Sequence, residues 1–348
     1  MREDLGMSRV REPCVSVPRI HAERARLALL RAGLLLGNLR PSRTDDRILF
    51  PISDPGEAVR ILSSLGIEFE VCESDFEPRK RPGRLSERVS GISGYMVVGS
   101  IAIINYKTEI PKEDYVRAAR ILLEEQPRIK AVYLKLGTHG PYRLPKLELL
   151  AGEPVTETIH REYGLEFVVD VSRVYVNPRL SFEHRRVAEI VQDGELVLDM
   201  FTGYAPFPIH IASLRRARIL GVDINPYAIA YALKSLERNK NRLKGEVNLM
   251  LGDSGRLDAL LKPVFNRIIM NNPKESLRYT SIACKLIAGS GVIHVYKHDI
   301  SAIEAVETVL DALNSAGCDI VDHKSRLVLE YAPGEGIYVV DAHVVKAS

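Results

Sequence analysis

Val197-Leu-Asp-Met-Phe-Thr-Gly-Tyr-Ala-Pro206 reads as a short apolar strand that ends on an acid, turns at a single glycine and enters a helix. The residues after it repeat the theme. Arg218–Val222 is a strand, Pro226–Asn239 a helix, and Glu246–Leu251, Arg267–Asn271 and Gly291–Tyr296 are further strands with helical stretches between them. Regular alternation of strand and helix predicts a mainly parallel, doubly wound sheet with right-handed crossovers. Ligands of such sheets bind beyond the carboxyl ends of the strands, so the polar residues there are the candidates for function. Four such ends stand out: Asp199, Asp223 in Gly-Val-Asp-Ile-Asn-Pro226, Asp253 after Gly252, and Asn271-Asn-Pro273.

A nicotinamide site would need G-x-G-x-x-G at the first turn, and only Gly203 is present. Asp199 would also repel a pyrophosphate, so the turn favours a cationic ligand such as S-adenosylmethionine. Asp223, 24 residues further on, is placed to hold ribose hydroxyls, and Asp253 to meet the adenine amino group. Each acid alone can also be turn or cap chemistry. Four polar strand ends in one alternation are much harder to explain that way.

Upstream of residue 180 the pattern is less regular. Cys14–Val17 and Ile48–Ile52 are strand candidates, Ile20–Gly33 and Gly56–Leu65 helices, and Ile67, Phe69 and Val71 alternate as in a half-buried strand. Phe76–Arg84, with two prolines, a glycine and a charge run, reads as a linker. Beyond it, Tyr95–Ile104 suggests a buried strand pair, Lys112–Glu125 a helix, Ile129–Leu136 a strand, Thr138–Arg143 a loop, and Leu147–Leu150 and Glu166–Asp170 two more strands. The division expected is 1–80, 85–172 and 173–348, two smaller α+β domains before the α/β one.

At 348 residues the chain exceeds what one core usually organises. With 46% hydrophobic and 27% charged residues it is an ordinary globular mixture, with no signal core and no uncharged span long enough for a membrane. Cys14, Cys72, Cys284 and Cys318 are too scattered for a CxxC site or a disulfide framework, which suits a reducing cytosol. His160, His184 and His294 fall on separate elements without H-x-x-x-H spacing, which counts against a metal. Net charge is only +3, but residues 1–44 carry nine arginines against four acids, and residues 76–90 five basic residues against two acids. Such clusters line polyanion sites or are merely solvated.

The string Asp199-Met-Phe-Thr-Gly-Tyr-Ala-Pro-Phe207 resembles the D-M-F-A-G-V-G-P-F motif of the archaeal and eukaryotic tRNA (guanine-37-N1)-methyltransferases. Asp223-Ile-Asn-Pro226 is similar to their D-x-N-P, Arg267–Lys274 to their R-V-I-M-N-L-P-K, and Val174–Ser181 to their Y-F-S-P-R-L-S/A. Tyr142–Glu153 and Thr156–His160 resemble the segment before their catalytic domain, and the likeness runs from about Cys14 to near the C-terminus.

The resemblance implies a class I methyltransferase domain preceded by a tRNA-contacting domain and a middle domain. The enzyme would be cytoplasmic and monomeric, without metal or membrane, and would use S-adenosyl-L-methionine. It implies Glu183 as the base that takes the N1 proton, Arg143 as the cation that steadies O6, and Asn271 and Pro273 as the pair that orients the guanine. It assigns the cofactor to Arg179, Asp199, Phe201, Gly203, Asp223, Ile224, Asp253 and Asn271. N1 is a poor nucleophile while protonated, so a base and an O6 donor are what the chemistry requires, and the target base must leave its stack.

Six positions depart from the motifs: Thr202, Tyr204 and Ala205 in the first, Asn272 in N-L-P, His184 where arginine usually follows the glutamate, and Asn266 in place of the common acid before Arg267. These leave room for a tricyclic wyosine precursor as substrate or for a tRNA-binding paralogue with weakened catalysis. An aminocarboxypropyl transferase is disfavoured by Asp223, and an exocyclic-amine methyltransferase by Lys274.

Overall fold

The computed structural model describes residues 9–78, 85–140, 142, 144–332 and 334–346. Internal contacts divide the chain into two compact units, Met1–Arg84 and Leu85–Ser348, with the break at the end of the proline-rich linker. Arg79, Lys80, Arg81 and Arg84 of the second basic cluster lie outside the described residues.

In the first unit, strands β1 (Val10–Pro18), β2 (Ser42–Arg43), β3 (Arg47–Pro51) and β4 (Glu70–Phe76) form an antiparallel sheet in the order β2-β3-β1-β4. Helices α1 (Ala22–Arg31) and α2 (Pro55–Ser64) bury Ala25, Leu29, Ala58 and Leu62 in one core with Val15, Val17, Phe50 and Ile52. Asp54 caps α2 by accepting from the Glu57 N–H at 3.0 Å. The strand expected over Ile67–Val71 begins three residues later than its alternation suggests, because Ile67 closes the helix core instead.

The second unit starts with the short helix α3 (Leu85–Arg88). Strands β5 (Met96–Val98), β6 (Ile101–Asn105), β7 (Ala131–His139) and β8 (Leu144–Gly152) then form a sheet in sequence order, with α4 (Lys112–Glu125) in the crossover between β6 and β7. Part of the expected 138–143 loop is therefore strand. A hairpin, β9 (Glu157–Glu162) and β10 (Leu165–Asp170), leads to α5 (Ser181–Ile190).

The large sheet follows: β11 (Leu196–Asp199), α6 (Pro206–Leu214), β12 (Arg218–Asp223), α7 (Pro226–Asn239), β13 (Glu246–Leu251), α8 (Leu257–Leu260), β14 (Phe265–Met270), α9 (Thr280–Leu286), β15 (Ile287–Asp299), α10 (Ala302–Ser315), β16 (Cys318–Ala332) and β17 (Glu335–Lys346). Its order is β13-β12-β11-β14-β15-β17-β16, parallel through β15 and antiparallel for the last two strands. The middle sheet shares a core with this domain: Val98, Ile101 and Tyr133 pack with Phe167, Val169, Ile209 and Tyr231.

All four cysteines pair, contrary to their scatter in sequence. Cys14 and Cys72 face each other across the β1–β4 ladder, and Cys284 of α9 meets Cys318 at the start of β16. Strand register and helix packing bring them together over separations of 58 and 34 residues, which spacing alone does not reveal.

Candidate active site

The turn after β11 is bent by two left-handed residues, Gly203 at φ 54° and Ala205 at φ 63°. Glycine takes this conformation freely, whereas alanine gives up about 1 kcal/mol or more. The turn is clipped to the end of β12: the Thr202 N–H donates to the Val222 carbonyl at 2.8 Å and the Gly203 N–H to Asp223 Oδ2 at 2.7 Å. Asp223 Oδ1 accepts from the Asn225 N–H at 2.9 Å, and Asn225 in turn caps α7 by accepting from the Tyr227 N–H at 3.0 Å. Burial raises the Asp223 carboxyl, and these backbone donors partly oppose it.

Asp199 is completely buried. Its Oδ1 accepts from the Phe201 N–H at 3.3 Å, while Oδ2 has no partner among the described residues. Burial pushes this carboxyl up to about 7, with the Phe201 N–H opposing.

Beyond these strand ends lies a cleft of about 510 Å³. Phe201, Gly203, Asp223, Ile224, Asn271 and Pro273 line it, as the motifs suggest, and so do Asn272 and Lys274. The middle region contributes Lys135, Thr138 and Tyr142, and the last hairpin Tyr331 and Ile337. Three of the residues expected at the cofactor are absent from the wall. Asp199 is buried next to it, Asp253 is occupied in accepting from the Gly255 N–H at 2.8 Å, and exposed Arg179 donates to the Glu330 carbonyl at 3.1 Å. Arg143 lies outside the described residues, although its neighbour Tyr142 lines the cleft.

Glu183 in the first turn of α5 is 1% exposed and lines no part of the cleft. Its Oε1 accepts from the Tyr296 hydroxyl at 2.6 Å and from Arg186 at 2.7 Å; its Oε2 accepts from Arg186 and from Arg326, both at 2.9 Å. Arg186 also donates to Asp341 at 2.6 and 3.2 Å. Asp341 meets His294 Nδ1 at 2.5 Å, His294 Nε2 meets Arg267 at 2.9 Å, and Arg267 grips Glu195 at 2.7 and 2.9 Å. Burial lowers His294, so the neutral ring donates from Nδ1 to Asp341 and accepts from Arg267 at Nε2. Burial raises Asp341, but His294 and Arg186 outweigh it and hold this carboxyl well below the usual range. No sequence motif marks Tyr296, Arg326 or Asp341; sheet pairing brings the first two to Glu183 and the third to Arg186. Of the other histidines, His160 and His184 lie on separate elements, as their spacing suggests, but converge with His210 on Glu162.

Residues 158–321 match the model of the TRM5/TYW2 methyltransferase domain, residues 83–156 that of the TYW2 N-terminal domain, and residues 14–59 that of the tRNA methyltransferase 5 N-terminal domain. A tRNA (guanine(37)-N(1))-methyltransferase Trm5b of Pyrococcus abyssi is 32% identical over 346 residues, covering 95% of this chain and 98% of that one. A tRNA 4-demethylwyosine(37)-methyltransferase Taw21 of Saccharolobus solfataricus is 34% identical over 58% of this chain and 76% of its own. Among solved structures, a complex of aTrm5 with tRNALeu superposes with a TM-score of 0.64 at 29% identity, covering 95% of this chain and 99% of that one.

Proposed function

The chain belongs to the TRM5/TYW2 methyltransferase family, with a Trm5-type N-terminal domain, and on that footing we propose that it methylates N1 of guanosine 37 in tRNA. The observation that carries this reading is the cleft itself, where Asp223, Asn271 and Pro273 meet beyond the ends of β12 and β14, in a chain similar along almost its whole length to a guanosine-37 enzyme. The methyl donor is S-adenosyl-L-methionine, and the residues present fit it. The free Oδ2 of Asp199 and the rim carboxylate of Asp223 offer negative charge and acceptors to a cationic nucleoside, and Phe201, Gly203 and Ile224 offer apolar and backbone surface. The donor supplies an electrophilic methyl group on a sulfonium.

The chain's own residues do the rest. Asn271 and Pro273 hold the flipped guanine against the cleft wall. Arg143 stabilises the charge that develops on O6. Glu183 takes the N1 proton. All four of its hydrogen bonds are spent internally, so Arg326, the partner whose side chain is 32% exposed, must release Oε2 when the tRNA enters. The Met1–Arg84 unit, with exposed Arg11, Arg24, Arg31 and Arg40, would grip the tRNA outer corner through phosphates, and the chain would work as a cytoplasmic monomer.

A second reading, methylation of a tricyclic wyosine precursor at position 37, is favoured by one observation: polar Asn272 lines the cleft where leucine is usual. Both are tested with labelled donor, transcripts carrying guanosine or adenosine at position 37, and mass spectrometry of the nuclease digest. The expected product is 1-methylguanosine, absent from the adenosine transcript; product only from precursor-bearing tRNA would establish the second reading. Glu183→Gln is expected to lower single-turnover methylation by about a hundredfold or more at unchanged tRNA affinity. A wild-type rate would remove Glu183 from the base role.

A further inference from the structure

Behind the cleft, four polar side chains from four elements converge on one carboxylate. Glu162, at the end of β9, has His184 Nδ1 of α5 at 2.8 Å and His210 Nε2 of α6 at 3.0 Å from its Oε2. Its Oε1 has His160 Nε2 at 3.1 Å and the Tyr204 hydroxyl of the β11–α6 turn at 3.5 Å. The side chains of Glu162 and His210 are 0% exposed, and that of His184 is 2%.

The charge balance of this cluster is unusual. Glu162 is fully buried and has three imidazole nitrogens, of His160, His184 and His210, within hydrogen-bond distance of its two oxygens. Among the described residues no arginine or lysine is paired with it. A fully buried carboxylate without an arginine or lysine partner gains from a cation placed among the same atoms.

The donor set itself is that of zinc: one carboxylate oxygen and two imidazole nitrogens. The three donor atoms lie within 4.8 Å of one another. In a tetrahedral site with bonds near 2.0–2.1 Å, ligand atoms are about 3.3 Å apart, and here both histidine nitrogens already lie 2.8 and 3.0 Å from Glu162 Oε2. His184 and Tyr204, two of the positions that depart from the family motifs, both meet here and both line the cleft. Their joint appearance at one carboxylate gives the departures a common purpose.

We propose that Glu162, His184 and His210 form a structural site for a zinc-type divalent metal, with Glu162 Oε1 as its further donor. His160 and Tyr204 orient the carboxylate from outside, as partners of metal ligands do. The site ties β9, α5, α6 and the cofactor turn to one point. It uses none of the residues assigned to methyl transfer, so it stands or falls apart from that assignment.

The test is metal analysis of the full-length protein, loaded with zinc and dialysed against metal-free buffer. About one zinc per chain is expected, lost in Glu162→Gln and His210→Ala and kept in His343→Ala, an exposed histidine. Cobalt(II) on the wild-type chain gives a readout that needs no variant, the visible band of a tetrahedral centre. Chelation should lower Tm by several degrees. Metal far below one per chain with no cobalt band would overturn the site, leaving an imidazolium as the counter-charge. Full retention of zinc in His210→Ala would overturn the ligand assignment.

Discussion

Asp199 and Glu183 are both carboxylates with almost no exposed surface, 0% and 1%, yet their surroundings differ completely. Asp199, beside the cleft, accepts one long bond and leaves Oδ2 free. Glu183, in α5, accepts four bonds and belongs to an unbroken chain of hydrogen-bonded polar groups that ends at Glu195. A region that must receive a ligand keeps its polar capacity open and tolerates the cost. A carboxylate walled in by other side chains spends that capacity on them until one of them lets go. The difference separates a carboxylate with spare capacity beside the cleft from one with none behind it.

The comparison breaks most easily at Arg186. Arg186→Ala strands Glu183 and Asp341 together, and should cost about 3–5 kcal/mol, read as a fall in the urea midpoint. A loss below about 1 kcal/mol would mean the charges are solvated after all. Asp199 gives the next effect. Its carboxyl sits near 7 in the folded chain against 3.8 ordinarily, so the folded state holds this proton more tightly than the unfolded one. The stability it contributes is therefore present below about pH 4 and lost as pH rises through 7. Donor binding runs the opposite way, because a sulfonium favours the ionised form. Calorimetry should show affinity rising several-fold between pH 6 and 8, and Asp199→Asn should flatten the rise. The smallest effect is at the strained turn. Ala205→Gly should stabilise the chain by about 1 kcal/mol, roughly 2 °C in Tm, with no such gain if Ala205 is held by packing alone.

Much of the large sheet was legible because its signals are local. Pro226–Asn239 and Glu246–Leu251 have the boundaries that a proline at the first helical turn, helical spacing and β-branched alternation suggest. Asp223, Gly203 and Asn271 could be found because ends of parallel strands are where ligands bind. What escaped was long-range. β9 is short and polar, β16 is mostly exposed and irregular in register, and neither has a clean period. His184 and His210 lie on two helices that meet only in the fold, and Cys284 finds Cys318 through α9 packing. The buried partners of Glu183 carry no motif at all.

Those partners also set a sequence of events. Glu183 and Arg186 lie in one turn of α5, but their bonds run to Tyr296, Arg326 and Asp341, across gaps of 113, 143 and 155 residues. Helix α5 can form within microseconds, whereas these closures carry the entropy of very long loops and come late. Until β17 docks on β15, an early-folded α5 holds a glutamate that cannot yet be buried. The chain therefore assembles its cofactor turn from near neighbours first, and the ground beneath α5 becomes firm only when the last hairpin closes over it.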